Sequence, residues 1–170
     1  TGNYGHQADG RTPAERAKAH GYEYCSVAEN IAWVSSRRAF LTAQLARSFV
    51  EGWKNSPEHR RNMLRPELTQ TGVAIARAGN GRYYAVQMLG RPASQSVRFQ
   101  IENRSGTAVK YALGGREFTL PARVTRTHKQ CSEAKIALHL PGGSQTLRAG
   151  DGARLAIVRE SSGAIAVKRE

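Results

Sequence analysis

The stretch Val27-Ala28-Glu29-Asn30-Ile31-Ala32-Trp33 is an apolar run interrupted once, by an acid and an amide side by side. Its length and its β-branched and aromatic residues predict a buried or half-buried strand. A carboxylate in such a run is costly unless it is paired, hydrogen-bonded or bound to a metal. Glu29 therefore needs a partner, and the chain offers His6 before it and His59 after it. The alternative is a structural Glu29 that accepts backbone N–H bonds and pins a loop.

Length and composition limit the broad class of the chain. Its 170 residues suggest one domain or two small ones. No apolar run approaches the roughly 20 residues of a membrane-spanning helix, so we expect no transmembrane segment. No signal peptide is visible at Thr1, so we expect a chain that begins after processing or is a cut piece of a longer one.

The formal net charge is +13, and the excess is spread over the chain. Residues 1–91 carry 13 basic and 7 acidic residues, and residues 92–170 carry 13 and 6. Such a diffuse positive field favours anionic surfaces such as envelope polymers, lipid headgroups or nucleic acid, but it reads no base sequence. The arginine pairs Arg37-Arg38 and Arg60-Arg61 are interpreted as solvated helix faces.

The two cysteines, Cys25 and Cys131, lie in no C-x-x-C pair, so a cysteine-based zinc site is not expected. They form either one disulfide in an exported protein or two thiols in a cytosolic one. The polar surroundings of Cys131 favour the disulfide, which joins the two halves of the chain.

Residues 1–91 alternate helix and strand signals and predict an α+β fold. Thr12 caps a helix that begins at Pro13 and ends at His20-Gly21, and Ser56 caps a short helix that Pro66 prevents from running on. Between them we predict a longer helix, capped by Ser35 or Ser36, whose apolar face consists of Leu41, Leu45, Phe49 and Trp53. Two strands follow, at residues 72–76 and 83–89, joined by a glycine-rich turn.

A linker at residues 92–96 separates this part from a segment of different composition. Residues 97–170 contain short alternating runs divided by glycine-rich turns, which predicts a small all-β sandwich or barrel. Its predicted strands begin at Val97 and continue at residues 109–113, 118–120, 123–127, 135–140, 153–158 and 164–168. His128 and His139 are interpreted as structural residues.

Four blocks of the first part occur in the order of a known family. They are Tyr4-Gly5-His6 with residues 9–13 and Arg16, Ala28-Glu29-Asn30-Ile31, Trp53 with Ser56-Pro57-Glu58-His59-Arg60 and Asn62-Met63-Leu64, and the strands at residues 71–76 and 83–87. Over residues 4–90 the chain resembles the CAP superfamily (SCP/TAPS, the cysteine-rich secretory, antigen-5 and pathogenesis-related-1 proteins), in its bacterial extracellular branch. Residues 97–170 resemble no family that we can name.

The resemblance implies a three-layer α-β-α sandwich with a central cleft that binds a divalent metal in several members. By position, the metal ligands are His6, Glu29 and His59, the same three residues that the sequence pairs, and zinc is the favoured ion. The family has a second acid, for which Glu51 and Glu58 are the candidates. The family's first long helix has no counterpart, so we expect a CAP domain at residues 1–91 that lacks this helix. Its exposed sheet face is expected to seek a partner, including a separate or cleaved N-terminal helix.

The sequence is compatible with three functions. The first is a secreted or periplasmic binding protein whose cleft holds a lipid, glycan or protein ligand, with an anionic envelope component as partner. The second is a metal-dependent hydrolase with Glu29 as general base and with His6 and His59 as metal ligands that activate a water. A nucleophilic Ser26 or Ser56 would in addition need a base beside it. The third is a non-specific polyanion or nucleic-acid binder, which the few aromatic residues do not support. An enzyme is less expected than a binder, because neither an H-E-x-x-H motif nor a nucleophile elbow is present.

Overall fold

The computed structural model describes residues 3–36 and 40–170. The predicted solvated pair Arg37-Arg38 lies outside these residues. The described chain divides into two compact units, Thr1–Ser94 and Gln95–Glu170. That each unit is an independent domain, with a linker at residues 92–96, stays a prediction.

The first unit contains three helices and a three-stranded antiparallel sheet among its described residues, which confirms the predicted α+β class. In chain order the elements are α1 (Pro13–Ala19), β1 (Tyr24–Ser35), α2 (Thr42–Asn55), α3 (Pro57–Met63), β2 (Gln70–Arg77) and β3 (Arg82–Pro92), followed by a 3₁₀ turn at Ala93–Gln95. The sheet order is β1-β3-β2, so β3 is central. The finer prediction, a three-layer sandwich that lacks its first helix, stays a prediction.

Helix α1 begins where the sequence predicts, because Thr12 and Glu15 form a complete capping box. The Glu15 backbone N–H donates to Thr12 Oγ1 at 3.2 Å, and the Thr12 backbone N–H donates to Glu15 Oε2 at 2.7 Å. These bonds satisfy two donors that a helix start otherwise leaves open. They also lower the pKa of the Glu15 carboxyl, chiefly through the bond from the Thr12 backbone.

The predicted N-cap of α2 is wrong, whereas Ser56 is the N-cap of α3 as predicted. Ser35 is the last residue of β1, and α2 begins later, after Leu41. There the Gln44 side-chain oxygen accepts the Leu41 backbone N–H at 3.3 Å. Helix α3 does begin after Ser56, but the serine side chain makes no capping hydrogen bond. Its backbone carbonyl instead accepts the Arg60 N–H at 2.8 Å.

The two faces of the sheet have different environments, as the central strand shows. On β3, Tyr83, Ala85, Gln87 and Leu89 are buried, whereas Tyr84, Val86 and Met88 between them are only half-buried. Helix α2 covers the buried face with Leu45, Phe49 and Trp53, as predicted. Leu41, the fourth residue of the predicted stripe, is 70% exposed, because it precedes the helix.

The second unit is an all-β sandwich. Its strands are β4 (Val97–Arg104), β5 (Val109–Leu113), β6 (Arg116–Leu120), β7 (Thr125–Gln130), β8 (Ala134–Leu140), β9 (Gly143–Ala149), β10 (Arg154–Arg159) and β11 (Ile165–Arg169). They form two four-stranded sheets, β11-β10-β4-β7 and β6-β5-β8-β9, around one apolar core. The sequence missed β9, because its residues are mostly exposed and lack an apolar alternation.

His128 is buried in this core, in agreement with a structural role. Its ring stacks on Phe99 with centroids 5.3 Å apart, and its Nε2 lies 2.7 Å from Tyr111 Oη. Burial, with a smaller contribution from the charge of Arg126, lowers the pKa of His128. His139 has a companion acid that the sequence did not indicate, since its Nε2 lies 3.4 Å from Glu117 Oε1 in an exposed pair.

Candidate functional site

Glu29 lies in the middle of β1, and its carboxylate contacts the side chains of His6 and Arg16. Its side chain is 2% exposed. Carboxylate oxygen Oε1 is 2.8 Å from His6 Nδ1, and Oε2 is 2.5 Å from Arg16 Nη2. The predicted partner His6 is therefore present, together with a stronger cation that the sequence analysis did not select. A buried carboxylate with two such partners is compensated for its loss of hydration.

Arg16 holds several chain segments together around this carboxylate. Its Nη1 donates to the backbone carbonyls of His6 at 3.0 Å and Arg11 at 2.8 Å, and contacts Asp9 Oδ1 at 3.1 Å. Burial lowers the pKa of Arg16, but the hydrogen bond and charge of Glu29 outweigh it, and the net shift is upward. The guanidinium thus stays charged while it orders the loop at residues 6–11.

A second polar network fastens α3 to the sheet through Asn30, whose side chain is fully buried. Asn30 Nδ2 donates to the His59 backbone carbonyl at 3.1 Å and to Gln87 Oε1 at 2.9 Å. Its Oδ1 accepts from Asn62 Nδ2 at 3.0 Å. The acid and the amide that interrupt the apolar run therefore point to opposite faces of the sheet and serve different contacts.

An open groove of about 880 Å³ lies over the half-buried face of the sheet. Its floor consists of apolar side chains from β1 and β3 on that face: Val27, Ile31, Val86 and Met88. Helix α1 and the preceding loop form one side, where Asp9 and Arg16 line the groove beside Glu29 of β1. The groove therefore combines an apolar floor with a polar corner at Asp9, Arg16 and Glu29, and its lining also includes the polar residues His20, Gln70 and Thr71.

Tyr22 lies against the sheet at one end of this groove, over Gly90. A Cβ atom added to Gly90 would lie 2.5 Å from Tyr22 Oη, so a side chain at this position would force the ring to move. The Tyr22 hydroxyl donates to Gln70 Oε1 at 2.8 Å, which ties the ring to β2. Burial raises the pKa of this phenol. Glycine at position 90 thus allows the tyrosine to form the end wall.

The family model described as the cysteine-rich secretory protein family (CAP) matches residues 2–89, a little over half of the chain. The chain belongs to the CAP family. This confirms the resemblance that the four sequence blocks indicated, and the part after the match has no family assignment. No curated protein matches the chain.

Two further observations concern the CAP chain as a whole. Cys25 and Cys131 are both disulfide-bonded and are the only cysteines, so the predicted Cys25–Cys131 bond is confirmed. Among the described residues, no helix has the length and apolar character that a bilayer span requires.

The predicted metal ligands are only partly joined by the contacts of the structure. His6 and Glu29 are hydrogen-bonded, whereas His59 contacts Asn30 through its backbone carbonyl. Over residues 3–36 and 40–170, no three His, Cys, Asp or Glu side chains form a group suited to a metal ion. Because Arg16 and His6 already occupy the two oxygens of Glu29, this arrangement does not fit a zinc ion as it stands.

The candidates for the second acid lie on helix surfaces. Glu51 makes an exposed ion pair with Lys54, with 3.0 Å between Oε1 and Nζ. Glu58 is exposed in the first turn of α3. Neither residue lines the groove.

In this arrangement the Glu29 side chain can orient the ring of His6. Its carboxylate holds the His6 ring through Nδ1. The other nitrogen of this half-exposed ring, Nε2, does not take part in the contact with Glu29. Of the proposed nucleophiles, Ser26 Oγ accepts a hydrogen bond from Arg65 Nη2 at 3.1 Å, and a guanidinium is no base. Ser56 participates in the start of α3 through its backbone.

Sequence reasoning missed Arg16, Asn62 and Gln87 as members of these networks. The helix that contains Arg16 also contains Ala14 and Ala17, whose small side chains leave room for a long cation to reach over the sheet. That placement was the available signal for a partner of Glu29. Asn62 and Gln87 gave none, because amides are common on exposed helix and strand faces.

Proposed function

We propose that this CAP protein is a secreted or periplasmic binding protein whose groove holds the apolar chain of a lipid. The observation that supports the proposal most directly is the half-buried apolar floor formed by Ile31, Val86 and Met88 on the central part of the sheet. Apolar side chains at the centre of a sheet are normally covered, so an open floor favours a ligand. The volume of about 880 Å³ lies in the usual range of ligand sites.

The polar corner favours a lipid over a glycan. Sugar hydroxyls need free donors and acceptors, but Arg16 is engaged by Glu29 and Asp9, and Glu29 is engaged by Arg16 and His6. The floor, in contrast, offers dispersion contact and burial, which an acyl chain can use along its whole length. An apolar protein segment, including a separate or cleaved N-terminal helix, is the competing occupant.

The proposed location outside the cytoplasm rests on the disulfide and on the family. Disulfides persist in oxidising compartments, and both cysteines of this chain, Cys25 and Cys131, are disulfide-bonded. The charge of +13 favours an anionic envelope component as a neighbour. Membership of the bacterial extracellular branch stays a prediction.

The other sequence-based functions stay predictions as well. A zinc site at His6, Glu29 and His59 requires Arg16 to release the carboxylate. A hydrolase with Glu29 as general base requires the same release, because a carboxylate bound to a guanidinium is a weak base. A non-specific polyanion binder would show affinity that falls steeply with salt.

Fluorescence titration with 11-(dansylamino)undecanoic acid tests the groove. We expect a saturable, one-to-one rise and blue shift of the dansyl emission. Met88→Lys places a charge on the groove floor and is expected to weaken binding by at least about tenfold. Val73→Lys is the matched control, because Val73 is exposed on β2 outside the groove lining. Tryptophan emission confirms that each variant is folded.

The two arms of this titration separate the possible results. Binding that Met88→Lys abolishes and Val73→Lys leaves within about twofold supports a lipid site. Equal loss in both variants, or no saturable binding to the folded chain, contradicts it. The second of these results leaves the apolar protein segment as the occupant of the floor.

A further inference from the structure

A basic pocket lies on the first unit, at the junction of α2, α3 and the turn that follows. Its volume is about 600 Å³. The lining contains four cationic side chains and no acidic one: Lys54, Arg60, Arg61 and Arg65, together with Asn55, Pro57, Leu64 and Pro66. No residue of this lining belongs to the lining of the groove.

Two of the four cations are already paired within the chain. Lys54 Nζ is 3.0 Å from Glu51 Oε1, and Arg65 Nε is 2.7 Å from Glu67 Oε1. Arg60 and Arg61 make no ion pair with the residues that the structure describes, and both side chains are exposed. The pocket thus keeps two arginine charges, for which a phosphate offers matching acceptor geometry.

An apolar side chain stands among these charges. Leu64 follows α3 and is 60% exposed, and Pro57 and Pro66 lie in the same lining. Cations beside an exposed leucine suit a membrane surface, where the charges can meet headgroups and the apolar group can enter the acyl boundary. A soluble anion would use the arginines but not Leu64.

We propose that this pocket docks the protein onto an anionic phospholipid surface. Arg60 and Arg61 bind headgroup phosphates, and Leu64 inserts at the edge of the acyl layer. Lys54 and Arg65 are paired with Glu51 and Glu67, so the net charge of the contact comes from Arg60 and Arg61. The pocket shares no lining residue with the groove, so the outcome of the membrane-binding test does not depend on the proposed lipid-chain ligand.

Co-sedimentation with vesicles tests this assignment on the intact, disulfide-bonded chain. The probes are vesicles of phosphatidylglycerol with phosphatidylcholine, vesicles of phosphatidylcholine alone, and soluble glycerophosphoglycerol. We expect binding to the first only. Arg60→Gln with Arg61→Gln is expected to lower the partition coefficient by about 30-fold, since each surface cation contributes about fivefold. Leu64→Ser is expected to lower it by about tenfold through the lost apolar contact.

The control removes the same charge elsewhere. Arg98→Gln with Arg116→Gln changes two exposed arginines of the second unit and is expected to lower partition by less than about threefold. Equal losses in the two double variants would overturn the pocket, because only net charge would then matter. Equal binding to both vesicle types would also overturn it. If glycerophosphoglycerol binds as tightly as the vesicles do, the ligand is a free phosphate ester and the membrane assignment is wrong.

Discussion

Arg16→Met removes the cation that neutralises the buried carboxylate of Glu29. The two side chains meet at 2.5 Å, where Glu29 is 2% and Arg16 24% exposed. At an effective dielectric constant near 20, a pair of charges about 4 Å apart attracts by about 4 kcal/mol. Removal of one partner from a buried pair costs about 3–5 kcal/mol, because the remaining charge is then uncompensated. Since water reaches part of Arg16, we expect a loss of about 3 kcal/mol in the free energy of unfolding.

Urea unfolding followed by tryptophan emission measures this loss. Trp33 and Trp53 are the only tryptophans, and both lie in the first unit, so the signal reports on that unit. Because Met approximates the aliphatic stem of Arg16, the substitution removes mainly charge and hydrogen bonds. A change in the midpoint without a change in slope would indicate a pure change in stability.

Two comparisons decide whether the reasoning holds. Arg11→Met removes a cation whose partner, Asp9, is exposed, and its effect is expected to be less than a third as large. Combining Arg16→Met with Glu29→Gln removes both charges and is expected to recover at least about half of the loss. A loss for Arg16→Met that equals that of Arg11→Met, or that Glu29→Gln does not reduce, would show that Glu29 is not compensated by Arg16.

Three further predictions follow from the same contacts. Because Arg16 and His6 occupy the Glu29 carboxylate, calorimetric titration of the metal-stripped chain with Zn²⁺ is expected to show no stoichiometric binding; one-to-one binding that His59→Ala abolishes would instead establish the predicted metal site. Gly90→Ala is expected to displace the Tyr22 ring and break its hydrogen bond to Gln70, which lowers the free energy of unfolding in urea by about 1 kcal/mol. Gly72→Ala is the control, because the space at its Cβ is open and the Tyr22 ring stays in place. Burial and Arg126 hold the pKa of His128 below its ordinary value, so the unfolded chain binds the proton more readily than the folded second unit. Stability of that unit is therefore expected to be full above about pH 6.5 and to fall as the pH drops below it. Hydrogen exchange across residues 97–170, corrected for intrinsic rates, measures this fall, and a His128→Gln variant with the same pH dependence would contradict the assignment.

The local signals of the sequence were sufficient for most of the elements. The capping box at Thr12 and Glu15 determined where α1 begins, since its bonds form within one turn. The alternation of apolar residues indicated β3 and most strands of the second unit, because one side of each strand faces a core. Strand β9 escaped, since an exposed edge strand needs no such alternation. Ser35 and Ser36 were predicted to cap α2, but a residue can cap a helix only at the position where the chain enters it. In this structure that position is Leu41.

The partners of the polar residues depended on the tertiary structure. From the sequence alone, Glu29 needed a partner, and the buried run that contains it made this need evident. Which group met the need was decided by the packing of α1 beside the sheet, which brings Arg16 within 2.5 Å of a carboxylate thirteen residues further along. Asn30 likewise found His59 and Gln87 only because α3 and β3 converge on it. The local sequence pattern therefore predicts which residues are buried. The long-range partner of a buried polar residue depends instead on which elements the fold places side by side.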